Sequence, residues 1–269
     1  MKSALLAFAI TLALAGCATT TTTSPTGRRQ VVGAVSQEQL NQLGEQAFAQ
    51  AKAETPQSSN AQQTAYVRCV VSAITRQAPV GMQSNWEVAL FQKDEPNAFA
   101  LPGGKVGVYT GIFRVAQNED QLAAVIAHEI GHVISHHHDE RITRQTTTQQ
   151  VLGILGALIG SRYGQGAANT VTQVGGVAAQ GLILLPNSRT QESEADVVGQ
   201  QLMAKAGFDP RQAVNLWQNM IAASQSRPPE FLSTHPDPQS RLNELSQRAG
   251  SLMPVYQQAQ ASGLRPRCG

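Results

Sequence analysis

Residues 128 to 132 read His128-Glu129-Ile130-Gly131-His132, and this run constrains the fold more than any other part of the chain. Two imidazoles four residues apart with a carboxylate between them share one face only if the backbone is helical, and that spacing suits a catalytic zinc ion. The neighbours agree with a helix. Leu122, Val125, Ile126, Ile130, Val133 and Ile134 recur at the 3.6-residue period, with the two histidines along one border of the apolar stripe. Asn118 stands where an N-cap would, Gln121 follows three residues later, and Glu119 and Asp120 occupy the first turn. The predicted helix therefore holds both rings partly buried at the edge of a cleft.

A catalytic zinc takes three protein ligands and keeps one position for water, so a third ligand has to come from elsewhere. Glu192 is the best placed. It opens the run Glu192-Ser193-Glu194-Ala195-Asp196, in a helix expected to start from a cap at Thr190 and to end near Gly207. Glu192, Ala195, Asp196 and Gly199 share a face of that helix, while Glu194 is turned about 200° away. The small residues Ala195 and Gly199 on that face would let two helices approach closely. Asp196, one turn beyond Glu192, is placed to accept the free N–H of a ligating histidine. The competing reading is a solvated acidic first turn that complements the helix dipole.

These segments together resemble the metallopeptidase family that includes the Ste-type CAAX prenyl protease, the heat-shock protease HtpX and the periplasmic barrel-assembly-enhancing protease. The marks are Asn97-Ala98-Phe99-Ala100 with Pro102-Gly103-Gly104, then the histidine motif, then Ser188-Arg189 with the acidic run, then Ser233-Thr234-His235-Pro236 with Arg241. The resemblance covers most of residues 38 to 247. It implies one zinc ion per chain held by His128, His132 and Glu192, with Glu129 as catalytic base, and hydrolysis of unfolded or membrane-associated proteins. The fold expected is α+β and predominantly helical, a zincin-like (gluzincin) metallopeptidase domain with a small antiparallel sheet.

The chemistry also follows from the residue types. Zinc polarises a scissile carbonyl and acidifies a water, and Glu129, next to the first histidine, can take the proton and pass it to the leaving amine. His235, the only histidine outside the cluster from 128 to 138, sits in His235-Pro236-Asp237-Pro238, where Asp237-Pro238 reads as the start of a helix. Three roles stay open for it: a transition-state donor, a reversible fourth zinc ligand, or a plain loop residue. Arg241 is either a second donor or a structural partner of Asp196.

Trp86 to Phe91 alternates, Ala98 to Leu101 follows, and a Pro102-Gly103-Gly104 turn leads into Val106 to Tyr109, which together read as a small antiparallel sheet. An edge strand beside the cleft would bind an extended peptide through its main chain, with Gly104, Lys105, Val106 and Gly107 as the expected contacts. His138 falls where the metzincin pattern places a third histidine, but Ser135 replaces the glycine of that pattern. The chain is expected to stay helical there, leaving His136, His137 and His138 as a solvated helix end. Val151 to Leu185 is apolar and glycine-rich, readable as a packed hairpin or as a lid that touches a membrane.

Residues 1–16 read as a secretory signal ending in Leu14-Ala15-Gly16, and Cys17 resembles the lipidated cysteine of bacterial lipoproteins. Ala18 resembles the sorting signal for the outer membrane, which would anchor the protein through Cys17 on its periplasmic face. Residues 17–30, rich in Thr, read as a flexible tether, and 31–269 as a single metallopeptidase domain. With Cys17 lipidated, Cys69 and Cys268 remain, an even number in an oxidising compartment, and a disulfide between them is expected. A net charge of +2 with no basic run argues against a nucleic-acid partner. The expected substrates are misfolded or misassembled envelope proteins. The alternative is a zinc-containing chaperone or assembly factor with latent peptidase activity.

Overall fold

The structure is a computed structural model and describes residues 19–83, 85–148, 187–223, 230–236 and 238–269. The expected signal peptide, the lipidated Cys17 and the apolar stretch Val151 to Leu185 lie outside these residues. Among the described residues no helix is long and apolar enough to cross a membrane.

The described residues open with an antiparallel hairpin of β1 (Thr20–Thr23) and β2 (Arg29–Val32), with Thr20 opposite Val32 and Thr23 opposite Arg29. Residues 20–30 thus form a hairpin where a flexible tether over 17–30 is expected, and residues 17 and 18 lie outside the described residues. Ser24-Pro25-Thr26-Gly27 is a turn: Gly27 N–H donates to Ser24 O at 2.9 Å, and Gly27 takes a φ of 89°, which its missing Cβ permits. β-Branched threonines suit the extended arm that enters it.

Helix α1 (Gln37–Glu54) starts from a reciprocal cap between Ser36 and Gln39, and α2 (Ala61–Thr75) from Asn60. A three-stranded sheet follows, made of β3 (Glu87–Phe91), β4 (Ala98–Leu101) and β5 (Lys105–Tyr109) in the order β3-β5-β4. The β4–β5 hairpin is antiparallel as its turn predicts, but β3 lies parallel to β5, so the sheet is mixed. Both faces are covered, and the side-chain alternation shows how. Val106, Val108, Ala98, Ala100 and Leu90 face the main core, whereas Ala89, Phe91, Phe99, Leu101 and Tyr109 gather with Phe48 under α1.

Helix α3 (Glu119–Ile134) is buried on every side from Gln121 to Ile134. Asn118 caps it by accepting from Gln121 N–H at 2.9 Å. After the break at Ser135 and His136, residues 137–148 form α4. Helix α5 (Arg189–Ala206) packs along α3 and ends at Gly207, which is left-handed with φ 87°. Its cap is Ser188, not the expected Thr190: Ser188 and Gln191 form the reciprocal capping pair, so the helix begins earlier. Helices α6 (Gln212–Ala223), α7 (Glu230–Thr234) and α8 (Pro238–Ala261) close the core around Leu216, Trp217, Met220, Phe231 and Leu245. Cys69 on α2 is joined to Cys268 in a disulfide with a Cα–Cα distance of 5.5 Å, tying the C-terminal tail to the core.

Candidate metal centre and active site

The close packing of α3 on α5 creates the site. A Cβ on Gly199 would come within 2.9 Å of His128 N, and one on Gly131 within 2.8 Å of Ala195 O, so both helices need glycine where they cross. At that separation Glu192 reaches both imidazoles. His128 Nε2 lies 3.3 Å from Glu192 Oε2, His132 Nε2 3.3 Å from Glu192 Oε1, and the two Nε2 atoms are 3.1 Å apart. Donors bound about 2.0–2.1 Å from one zinc at tetrahedral angles stand about 3.3 Å from each other, so the trio has the dimensions of a zinc site. His235 completes a group of four whose candidate ligand atoms all lie within 4.8 Å of one another. His138 is not among them.

All four side chains are buried, Glu192 completely. Buried polar atoms are normally paired, yet Glu192 Oε1 and Glu129 Oε1 have no hydrogen bond among the described residues. Orphaned carboxylate oxygens aimed into a cluster of bare imidazole nitrogens are what a divalent cation would satisfy.

Arg241 organises one side of the cluster. Its Nε donates to Asp196 Oδ2 and its Nη2 to Asp196 Oδ1, each at 2.6 Å, its Nη1 donates to Glu192 Oε2 at 2.5 Å, and the guanidinium lies 3.9 Å over the Trp217 ring. Asp196 Oδ1 in turn lies 3.0 Å from His128 Nδ1. Burial pushes the Asp196 and Glu192 carboxyls up; at Asp196 the Arg241 charge outweighs it, and at Glu192 the neighbouring imidazoles and Arg241 do, so both stay below the ordinary carboxylate range. The two histidines diverge. Burial and Arg241 depress His128, but its bonds to Asp196 and Glu192 prevail and raise it to about 9, whereas at His132 burial wins and its pKa falls well below the usual value.

His235 follows α7 directly. Its Nδ1 lies 3.0 Å from Phe231 O, its ring stacks on Phe231 at 4.0 Å between centroids, and its Nε2 lies 3.2 Å from Glu129 Oε1. The Thr234 hydroxyl also lies 2.9 Å from Nδ1, so Nδ1 is tied to α7 and Nε2 is the nitrogen turned towards Glu129.

Two expectations fail here. Gly104, Lys105, Val106 and Gly107 cannot be an open edge, because β5 is the central strand: Lys105, Val106 and Gly107 are paired with β3 on one side and β4 on the other, and Gly104 O accepts from Glu87 N–H. The strand that borders the cleft is β4. Asn97, Ala98, Phe99 and Ala100 line a small cavity of about 30 Å³ with Glu129, His132 and His235. The histidine triplet is not a solvated helix end either. His136 takes a φ of 55°, which breaks the helix, and His137 and His138 turn inward to become buried. Glu194, turned away from Glu192 on the same helix, stays outside the ligand group, is buried, and lies 3.0 Å from His137 Nε2. Arg141 and Asn187 were also missed. They pair at 2.9 Å on the wall of the Glu129 cavity, and nothing in the local sequence around them marks a site.

A helix that carries His-Glu-x-x-His and meets a glutamate from a second helix is the architecture of a gluzincin metallopeptidase. The model of peptidase family M48 matches residues 61–249, and the chain belongs to that family, whose members are zinc-dependent. It is 36% identical over 187 residues to the mitochondrial metalloendopeptidase OMA1 of Schizosaccharomyces pombe, covering 68% of this chain and 52% of that one. It is 32% identical over 225 residues to the beta-barrel assembly-enhancing protease of Escherichia coli, covering 81% of this chain and 45% of the relative. The chain thus spans about half the length of these curated relatives.

Proposed function

We propose that the protein is a zinc metalloendopeptidase of the bacterial envelope, held by a lipid on Cys17 at the periplasmic face of the outer membrane, that cleaves misfolded or misassembled envelope proteins. The observation that carries the hydrolytic reading is the convergence of His128, His132 and Glu192 beside Glu129, whose Oε1 has no hydrogen bond among the described residues. The name of the Escherichia coli relative, a protease that enhances β-barrel assembly, supports the choice of substrate class.

His128, His132 and Glu192 would hold the ion, which supplies polarisation of the scissile carbonyl and acidification of a water. Glu129 does the proton work: its Oε1 accepts the proton of the attacking water and returns it to the leaving amine. Asp196 and Arg241 keep the His128 ring and the Glu192 carboxylate aimed. The edge of β4 that pairs with no other strand among the described residues takes the substrate as an extended strand through main-chain hydrogen bonds, which tolerates many sequences. The place of His235 in the group of four supports the role of a reversible fourth ligand, so that its withdrawal opens the site.

Casein cleavage by the wild type and by Glu129→Gln, with zinc measured in both, tests the reading. Turnover should collapse in the variant while zinc is retained, and a chaperone function would survive the substitution. Equal turnover in both proteins removes Glu129 as the base. His235→Ala should raise basal cleavage if the ring caps the site, and lower it if the ring is a transition-state donor.

A further inference from the structure

His137 has no part in the reaction just described, yet it is fully buried and bonded at both nitrogens. Its Nε2 lies 3.0 Å from Glu194 Oε2 and its Nδ1 lies 2.7 Å from His132 Nδ1. A carboxylate only accepts, so the hydrogen sits on His137 Nε2. The Nδ1 of His137 is then a bare lone pair and accepts the hydrogen of His132 Nδ1. His132 Nε2 is left unprotonated, and that is the nitrogen 3.3 Å from Glu192 Oε1. The series continues outward. Glu194 Oε1 accepts from the Thr26 hydroxyl at 2.5 Å and Glu194 Oε2 from Arg28 Nε at 2.8 Å, while both terminal nitrogens of Arg28 donate to Glu140 at 2.8 Å. Thr26 and Arg28 belong to the N-terminal hairpin. Backbone bonds from Gly33 N to Asp139 and from Ala34 N to Thr143, at 2.9 and 3.1 Å, pin the end of the hairpin to α4.

We infer that the N-terminal hairpin is part of the metal centre: Arg28 and Thr26 orient Glu194, which acts through His137 to fix His132 in the tautomer and ring angle that present Nε2 to zinc. This deepens the metallopeptidase reading and rests on it. Arg28, Glu194 and His137 are positioning residues, since none of them meets substrate or the reacting atoms. The coupling works in both directions, so a docked hairpin strengthens zinc binding and bound zinc strengthens docking of the hairpin.

The test is zinc affinity of the full chain, read by competition with a chromogenic chelator, with thermal melting of the metal-free protein as the measure of folding. His137→Phe, Glu194→Gln and Arg28→Ala should each weaken zinc binding by about 10–100-fold, the range typical of groups that orient a ligating histidine. In a His137→Phe background, Arg28→Ala should weaken zinc no further, because the path is already cut. Independent, additive losses would overturn the relay, as would lowered melting with unchanged affinity. If His137→Phe fails to fold, Arg28→Ala alone decides, and unchanged zinc affinity in it refutes the inference. His132→Ala separates the two layers of the argument. Zinc retained there overturns the metal-site reading and the relay with it, whereas zinc lost there but unmoved by Arg28→Ala overturns the relay alone.

Discussion

His128 and His132 sit one turn apart on the same helix and lean on opposite kinds of support. His128 meets a carboxylate directly, and that carboxylate is gripped by an arginine lying over Trp217, all within the core. His132 meets a neutral ring, then a carboxylate, then an arginine on a peripheral hairpin whose side chain is 23% exposed. The first support is a buried ion pair, whose charges have no water to fall back on if one partner is lost. The second ends near solvent, where screening limits what the last contact is worth. One candidate ligand is thereby tied to the stability of the core, the other to the docking of a separate element.

The largest effect should come from breaking the buried side. Arg241→Ala leaves Asp196 and Glu192 as uncompensated carboxylates and should cost about 3–5 kcal/mol in denaturant unfolding. Arg28→Ala should cost about 1 kcal/mol or less by the same measurement. Equal losses would erase the distinction between the two supports. Cys268→Ser comes next. The bridge closes a loop with a sequence separation of 199, and removing a native disulfide costs about 2–5 kcal/mol. Its zinc affinity should not change, because neither cysteine touches either support. Gly199→Ala follows, at about 1–3 kcal/mol, since its Cβ would press on the His128 backbone and force α3 from α5. Zinc affinity should fall with it, and an unchanged affinity would show that the helices can separate without disturbing the site.

The difference between the two sides also explains what the sequence could reveal. The support of His128 is written in helix periodicity: Glu192, Ala195, Asp196 and Gly199 share a face because they lie three, four and seven residues apart, and the two histidines lie four apart. Local spacing therefore suffices to predict the trio and its carboxylate. The support of His132 depends on a break in the helix at His136, whose φ of 55° is uncommon for any residue with a Cβ, and on a hairpin more than 160 residues from Glu194. Threonine-rich composition concealed that hairpin, although Pro25 and Gly27 at their spacing form a turn signal. The sheet was half legible for a related reason. The β4–β5 hairpin is encoded by its own turn, whereas the parallel pairing of β3 with β5 is non-local. One sign of the strand order was present: Val106 to Tyr109 is apolar without alternation, as suits a strand buried on both faces.

The smallest effect concerns acid, and it separates the two supports by a different property. Glu194 and Glu140 both have pKa values below the ordinary carboxylate range. Burial works against ionisation at each, but hydrogen bonds outweigh it, from His137, Thr26 and Arg28 at Glu194 and from Arg28 and Gln191 at Glu140. A carboxylate depressed in the folded state adds stability that is fully present above its unfolded pKa of about 4.3 and is lost as pH falls towards the folded value. Arg28→Ala lets both carboxyls move back towards the unfolded value, so the variant has less of this stability to lose. The melting temperatures of wild type and Arg28→Ala, measured without metal so that zinc release does not intrude, should differ most near neutrality and converge as the pH falls from about 5 to about 3. Curves that stay parallel through this window would mean that the guanidinium contributes packing rather than charge at the end of the relay.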